Sequence, residues 1–399
     1  MSGVAGITRH GHNVDEFSPA DFLLCRNSYH VSASGSERSY SAVAQAADAL
    51  RSGTVPVIVG ALPFDIRDAA ALTVPERFDV INRAWVSDSA GTLPAGRIAA
   101  LHPSLAEHRR RVAATVSLMR RPDSTLHKVV LARGATVRTD TPVRPYDLAA
   151  SLRKVDPLGS IFVADLSAAG RSSTLVGASP EVLISKRGTV ISAHPLAGSA
   201  PRSTDPAIDA ARGRELGSSV KDHAEHRFVV DAIATALRPL CRTLEVPDEP
   251  ELMTTPAMWH LGTPIRGEVA DPALTALDLA LAVHPTPAVC GTPTTAARDH
   301  ILATEGDRGF YSGAIGWART GGAGDGGDGE WMVSIRCAEV AADGLGATAW
   351  AGGGIVAASD PDAEVAETQA KFATILGAFG ISAPASVGVG APGDAAVAE

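Results

Sequence analysis

The chain has 399 residues, 45% of them hydrophobic and 20% charged, and a formal net charge of −9. Such a composition belongs to a globular protein that buries roughly three quarters of its unfolded surface, and its acidic balance argues against a nucleic-acid or anionic-membrane partner, which would need clustered Lys and Arg. No apolar run approaches the ~18 residues that span a bilayer, and the opening MSGVAGITRHGHNVDEF lacks the charged-then-apolar layout of a secretory leader, so a cytoplasmic protein is expected.

Residues 1 to about 95 alternate Ala-rich helical stretches such as SAVAQAADALRSG with the strand-like TVPVIVGALPF, and carry no obvious chemistry. Next, Lys128 opens the apolar run KVVLARGATV, which reads as a buried strand. Arginine fills 30 of the 35 basic positions, so a lysine at the mouth of a strand is unusual. Of the two, only lysine sheds its proton when desolvated. Further strands follow in SIFVADL, STLVGAS and EVLISKRGTVISAH, with helices over 205–240 and 360–378. Strands in runs rather than strict alternation with helices indicate a mixed or antiparallel sheet packed by helices. Cys25, Cys241, Cys290 and Cys337 are widely spaced and form no CxxC pair, as expected of buried free thiols.

Asp222 and Glu225 are three residues apart in one helical segment, and Glu364 and Glu367 three apart in another, with Lys371 four further on. Each set shares a helical face. The two pairs could converge on a hard divalent cation, one carboxylate of each binding directly and its neighbour holding a water. On spacing alone the plainer reading is a pair of solvated faces with an internal Glu367–Lys371 ion pair. Asp222, His223 and His226 suggest zinc, but nothing elsewhere completes such a site.

HPLAGSAPR (194–202) and HPTPAVCGTP (284–293) read as Pro/Gly-bounded loops of the kind that build sites. RTGGAGDGGDGEW (319–331) reads as a flexible hairpin connection. Arg336 stands inside a strand-like segment, turned either to solvent or inward to a carboxylate. Gly352, Gly353 and Gly354 lie between a strand and the Glu364 helix, where backbone amides can approach an anion, although a plain tight turn would look the same. The tail after Ile381 is Pro/Gly-rich and expected to be disordered.

Taken in order, KVVLAR, GASPEVLIS, HPLAGSAPR, KDHAEHRFVV, WHLGTPIRG, VHPTPAVCGTP, GFYSGAIGW, VSIRCAEV, AGGGIV and AETQAKFATIL resemble the chorismate-utilising enzymes, and within them the isochorismate synthases. The likeness is dense from about residue 120 to 378 and thinner before it. It implies an α+β fold, layered, with large mostly antiparallel sheets and flanking helices around a central cleft. It also implies one domain over 1–381, with the 382–399 tail outside it. The implied substrate is chorismate and the implied cofactor Mg2+, with a nucleophile entering at C2 as the C4 hydroxyl departs. In isochorismate synthases that nucleophile is water.

Carried across by position, Lys128 matches the base that activates water and Glu181 the acid that protonates the leaving hydroxyl. Burial favours the uncharged form of both. Glu225 and Glu367 match direct Mg2+ ligands, with Asp222 and Glu364 as outer acids. Ala197, Gly198 and Ser199 match the nucleophile side, and His260, Tyr311, Arg336, Gly352 to Gly354 and Lys371 match substrate contacts. A small residue at Ala197, where amine-forming relatives can carry lysine, favours water. Salicylate synthases, which go on to expel pyruvate, share nearly all of these positions, although Ser199 stands where they usually have threonine. A catalytically silent chorismate-binding protein would have no reason to keep Lys128, Glu181, Glu225 and Glu367 together. The HPTPAVCGTP segment resembles the siderophore-linked members. With no long exposed apolar stripe in the sequence, a monomer is expected.

Overall fold

The computed structural model describes residues 22–87, 95–321 and 326–381. The expected disordered tail, 382–399, lies outside the described residues, as does part of the 319–331 connection. The flanks of that connection, Ala314–Arg319 and Gly329–Val333, do pair antiparallel as a hairpin.

The architecture is α+β, with two large antiparallel sheets and one small one. The ten-stranded sheet is built on two long neighbours, Lys128–Arg138 and Gly346–Val356, in continuous register from Lys128↔Val356 to Arg138↔Gly346. It continues through Cys337–Ala341, Ser173–Ser179 and Ser160–Asp165 to Phe22–Cys25. The nine-stranded sheet sets Val57–Leu62 beside Ala314–Arg319 and then Gly329–Val333, Val182–Arg187 and Val190–His194. Leu196–Pro201, Met258–Gly262 and Glu251–Thr254 form the third sheet. Strands between 22 and 81 thus enter both large sheets.

The two large sheets face each other across a core of Phe22, Leu24, Phe162 and Leu175 from one and Val57, Val59, Ile315, Trp317 and Met332 from the other. Helices Pro145–Val155 and Pro361–Ala378 cover the outer face of the ten-stranded sheet through Leu148, Leu152, Phe372 and Ile375. Val43–Arg51, Val220–Leu237 and Ala276–Val283 cover the other. A strand covered on both faces has no solvent side, which is why Val57–Leu62 reads VIVGAL without polar alternation.

Two of the passages from one large sheet to the other lie side by side. Ser173–Ser179 belongs to the ten-stranded sheet, yet its continuation after Pro180-Glu181, Val182–Arg187, belongs to the nine-stranded one. Gly329–Val333 and Cys337–Ala341 make the reverse passage through Ser334, Ile335 and Arg336. The amide of Ala178 donates to Arg336 O at 3.1 Å and that of Val333 to Glu181 O at 3.1 Å. Strands that switch sheets by a bend make corners in packed β layers, and this corner opens the cleft.

Three local expectations are corrected. Arg336 is not inside a strand but in the second crossing, at φ +53°. Gly352 to Gly354 do not form a turn; they are paired within the Gly346–Val356 strand, opposite Ala132, Leu131 and Val130. The HPLAGSAPR loop is largely the strand Leu196–Pro201. All four cysteines are free; Cys25, Cys290 and Cys337 are buried and Cys241 is half-buried.

Candidate active site

The cleft at the corner encloses about 700 Å³, counting its open mouth. Of the expected substrate contacts, Ala197, Gly198, Ser199, His260, Tyr311, Arg336, Gly352, Gly354 and Lys371 line it, together with Glu181, Glu225 and Glu367. Gly353 faces the other way, toward Glu364 and Thr368. Trp350, Ser312 and Ile335 also line the cleft, unmarked by the sequence, and Ala288 and Val289 bring in the HPTPAVCGTP segment expected to build a site. Trp350 stacks on Tyr311 at 5.8 Å between ring centroids, and only its place two residues before Gly352 hinted at a role.

Each crossing delivers one group. Glu181, 3% exposed, is carried by the first. Burial pushes its carboxyl up to about 8, against the pull of the Leu196 amide and of the charges on Lys128, Arg336 and Lys371. It is therefore a protonated acid at neutral pH. Arg336, carried by the second, is turned inward and donates from Nη1 to Lys371 O at 3.2 Å.

The third sheet supplies the opposite wall. A register shift between Ala197 and Ser199, with Gly198 at φ +73°, makes a bulge. A glycine in the left-handed region permits such a bulge, which re-aims the neighbouring side chain. Ser199 Oγ accordingly donates to Glu367 Oε1 at 2.9 Å. His260, opposite Ser199 on the next strand, has its Nε2 buried and without a partner. Burial, then the Arg336 and Lys371 charges, holds its ring neutral by keeping its pKa well below the ordinary value.

Lys128 is fully buried, with Nζ 3.0 Å from Glu225 Oε1. The contact is ionic, since the amine makes no well-aligned hydrogen bond. Glu225 lines the cavity and Lys128 stands behind it. Gly354 makes room for both: a Cβ there would fall 2.2 Å from Glu225 Oε1 and 3.2 Å from Lys128 Cε.

The two acid-bearing helices do converge. Glu364 is bridged to Lys221 of the other helix at 3.3 Å, and Glu367 is paired within its own helix to Lys371, whose Nζ also donates to Gly352 O at 3.1 Å. Burial and then the charge of Glu367 push Glu364 up to about 7. Burial acts upward on Glu367 too, but Lys371, Ser199 and Lys221 outweigh it and hold that carboxyl below its ordinary value. Asp222 accepts a short hydrogen bond from Ser219, the residue that caps its helix. Burial raises Asp222, with Ser219 opposing and Glu225 adding.

These residues fit a hard divalent cation. The donors are carboxylate oxygens, Glu364 Oε2 is buried without a hydrogen-bond partner, and the side-chain-free edge at Gly353 and Gly354 leaves the acids their space. Among the described residues no three such side chains already form a cage; lysine ammonium groups contact Glu225, Glu364 and Glu367 instead. For the zinc alternative, no third ligand joins His223 and His226 among the described residues, and both have their Nε2 engaged. His223 Nε2 donates to Gly217 O at 3.0 Å, and His226 Nε2 bonds Thr263 Oγ1 at 2.7 Å.

The family model for chorismate binding enzymes matches residues 86–380. MenF of Mycobacterium tuberculosis H37Rv is 47% identical over 365 residues, 90% of this chain and 96% of its own. The isochorismate synthase DhbC of Bacillus subtilis is 42% identical over 393 residues, 94% of this chain and 97% of its own. The crystal structure of DhbC from Bacillus anthracis superposes with a TM-score of 0.82 at 37% identity, covering 92% of this chain and 98% of that one. The chain belongs to the chorismate binding enzyme family.

Proposed function

We propose that the protein is an isochorismate synthase, converting chorismate reversibly to isochorismate by attack of water at C2 and loss of the C4 hydroxyl. The observation that carries the reading is Glu181: a buried carboxylic acid that keeps its proton to about pH 8, in a cavity whose cations suit a dianion. Hydroxide is a poor leaving group, and a positioned acid is worth roughly 10²- to 10⁴-fold. Glu181 gives its proton to the departing C4 oxygen, while Lys128, acting in its uncharged form, takes one from the incoming water, so that one water enters as another leaves. Arg336 and Lys371 bind and orient substrate carboxylate, and neutral His260 offers a hydrogen bond without adding charge. Ala197 leaves room for water.

Mg2+ is the proposed cofactor, which Glu225 and Glu367 would hold with Asp222 and Glu364 outside them; when bound it would supply positive charge for a substrate carboxylate. The name of the Bacillus subtilis relative supports the activity. The Bacillus anthracis structure, described as 2,3-dihydroxybenzoate-specific, supports a siderophore-directed product. A cytoplasmic monomer completes the proposal; no helix among the described residues is long and apolar enough to cross a membrane. Incubation with chorismate and Mg2+, followed by chromatographic separation, should yield isochorismate. An unchanged chorismate pool would refute the assignment.

A further inference from the structure

Arg133 is a buried cation that the chemistry above leaves unused. It is 1% exposed and lies on the strand face opposite Lys128, against helix Pro361–Ala378. Its Nε donates to Thr368 Oγ1 at 3.1 Å and its Nη2 to Gln369 Oε1 at 3.1 Å, while the guanidinium carbon sits 5.4 Å from the centre of the Phe372 ring. Nη1 has no partner, and among the described residues no carboxylate pairs with this side chain. His108, also 1% exposed, brings no counter-charge: burial, then the Arg133 and Arg111 charges, holds it neutral at a pKa of about 3.

Stability alone does not call for such a residue. A buried charge is costly, and apolar side chains of similar volume often replace one at no loss. What arginine supplies and an apolar residue cannot is a rigid fork of donors. Both acceptors are the residues that directly follow Glu367. Thr368 in turn donates to Val365 O at 2.9 Å, so the fork grips the helical turn that carries Glu364, Glu367 and Lys371. Rotation of that turn would take Glu367 from Ser199 and Lys371 from Gly352.

We propose that Arg133 is a positioning residue, whose two-pronged hold on Thr368 and Gln369 fixes the rotation of helix 361–378 and so presents Glu367 and Lys371 to the cavity. The consequence for activity rests on the chorismate reading of that cavity.

The test compares wild type with Arg133→Met and Arg133→Lys by thermal melting, by hydrogen exchange of the 361–378 amides and by turnover of chorismate. Arg133→Met should melt at or above the wild-type temperature, yet exchange faster across 361–378 and lose about 10- to 100-fold in turnover, as is typical when a ligand's supporting hydrogen bonds are removed. Arg133→Lys keeps the charge but not the fork and should not restore either property. Adding Thr368→Val to Arg133→Met should cost little more, because both changes cut one linkage. Wild-type exchange and turnover in Arg133→Met would overturn the proposal, as would full restoration by lysine, or a lower melting temperature with unchanged turnover per folded molecule. If wild type itself leaves chorismate untouched, the functional reading falls and the exchange contrast alone decides the role of Arg133.

Discussion

Gly354 and Glu225 are fitted to one another: a single methyl on Gly354 would stand 2.2 Å from Glu225 Oε1. Gly354 has an ordinary strand backbone, so alanine would be tolerated by the chain but not by the carboxylate. Gly354→Ala should fold normally and lose activity by about 10²-fold, the scale of an ångström-sized misplacement at a reacting centre. Gly353→Ala, whose nearest conflict is Glu364 Oε2 at 3.2 Å, should be milder. Steady-state kinetics and melting curves on the two variants check this. Equal losses in both would mean that the strand, not Glu225, is being disturbed.

Glu181 should set the alkaline limb of the pH profile. As its carboxyl is held up to about 8, turnover should fall as pH rises through that value and the acid loses its proton. Glu181→Gln should remove about 10²- to 10⁴-fold of the rate together with that limb. The same group makes a stability prediction. A carboxyl raised in the folded state binds its proton more tightly there than in the unfolded chain. Its contribution is therefore fully present below the ordinary carboxyl pKa and is lost as pH rises to about 8. Melting temperatures of Glu181→Gln should vary less with pH over that window than those of wild type.

Lys128 and Glu225 should be separable by a double-mutant cycle. Removing Glu225 alone leaves a fully buried ammonium without its ion pair, a loss typically worth about 3–5 kcal/mol. Lys128→Met should abolish turnover and still bind chorismate, which calorimetry can measure. The Lys128→Met, Glu225→Gln double variant should recover stability but not activity. If Lys128→Met instead mainly raised KM, the amine would be a substrate anchor rather than a base.

Glu225→Gln and Glu367→Gln should each remove the response to divalent cation along with turnover, and isothermal titration with Mg2+ should show the binding heat lost in both. Full wild-type activity in excess chelator would sink the metal assignment.

Much of this site was legible in the sequence, for definite reasons. Lys128 stood out because a rare amine opened an apolar strand, and helical spacing put Glu364, Glu367 and Lys371 on one face, including the ion pair between the last two. Ordered segment likeness gave the fold class and pointed to most of the other residues that line the cleft. What escaped was long-range. Lys128–Glu225 and Lys221–Glu364 join elements far apart in the chain, and local spacing says nothing of them. Arg336 reads as part of a strand because polar and apolar residues alternate through VSIR, as along a strand; only the pairing of the two halves of the segment with different sheets reveals the crossing. At the three glycines the sequence leaves both a tight turn and an anion-approaching backbone open, because glycine suits either. In the fold they are a strand whose missing side chains give Glu225, Glu364 and Tyr311 their room.

The proposed exchange of one water for another at Glu181 and Lys128 is tested most directly with oxygen-18 water. Chorismate incubated with the protein and Mg2+ in labelled water should give isochorismate carrying one heavy oxygen, at C2, with no pyruvate released. As the mixture approaches equilibrium, recovered chorismate should acquire label at C4 through the reverse reaction. Isochorismate free of label would contradict attack by solvent water, and prompt pyruvate release would make the protein a salicylate synthase.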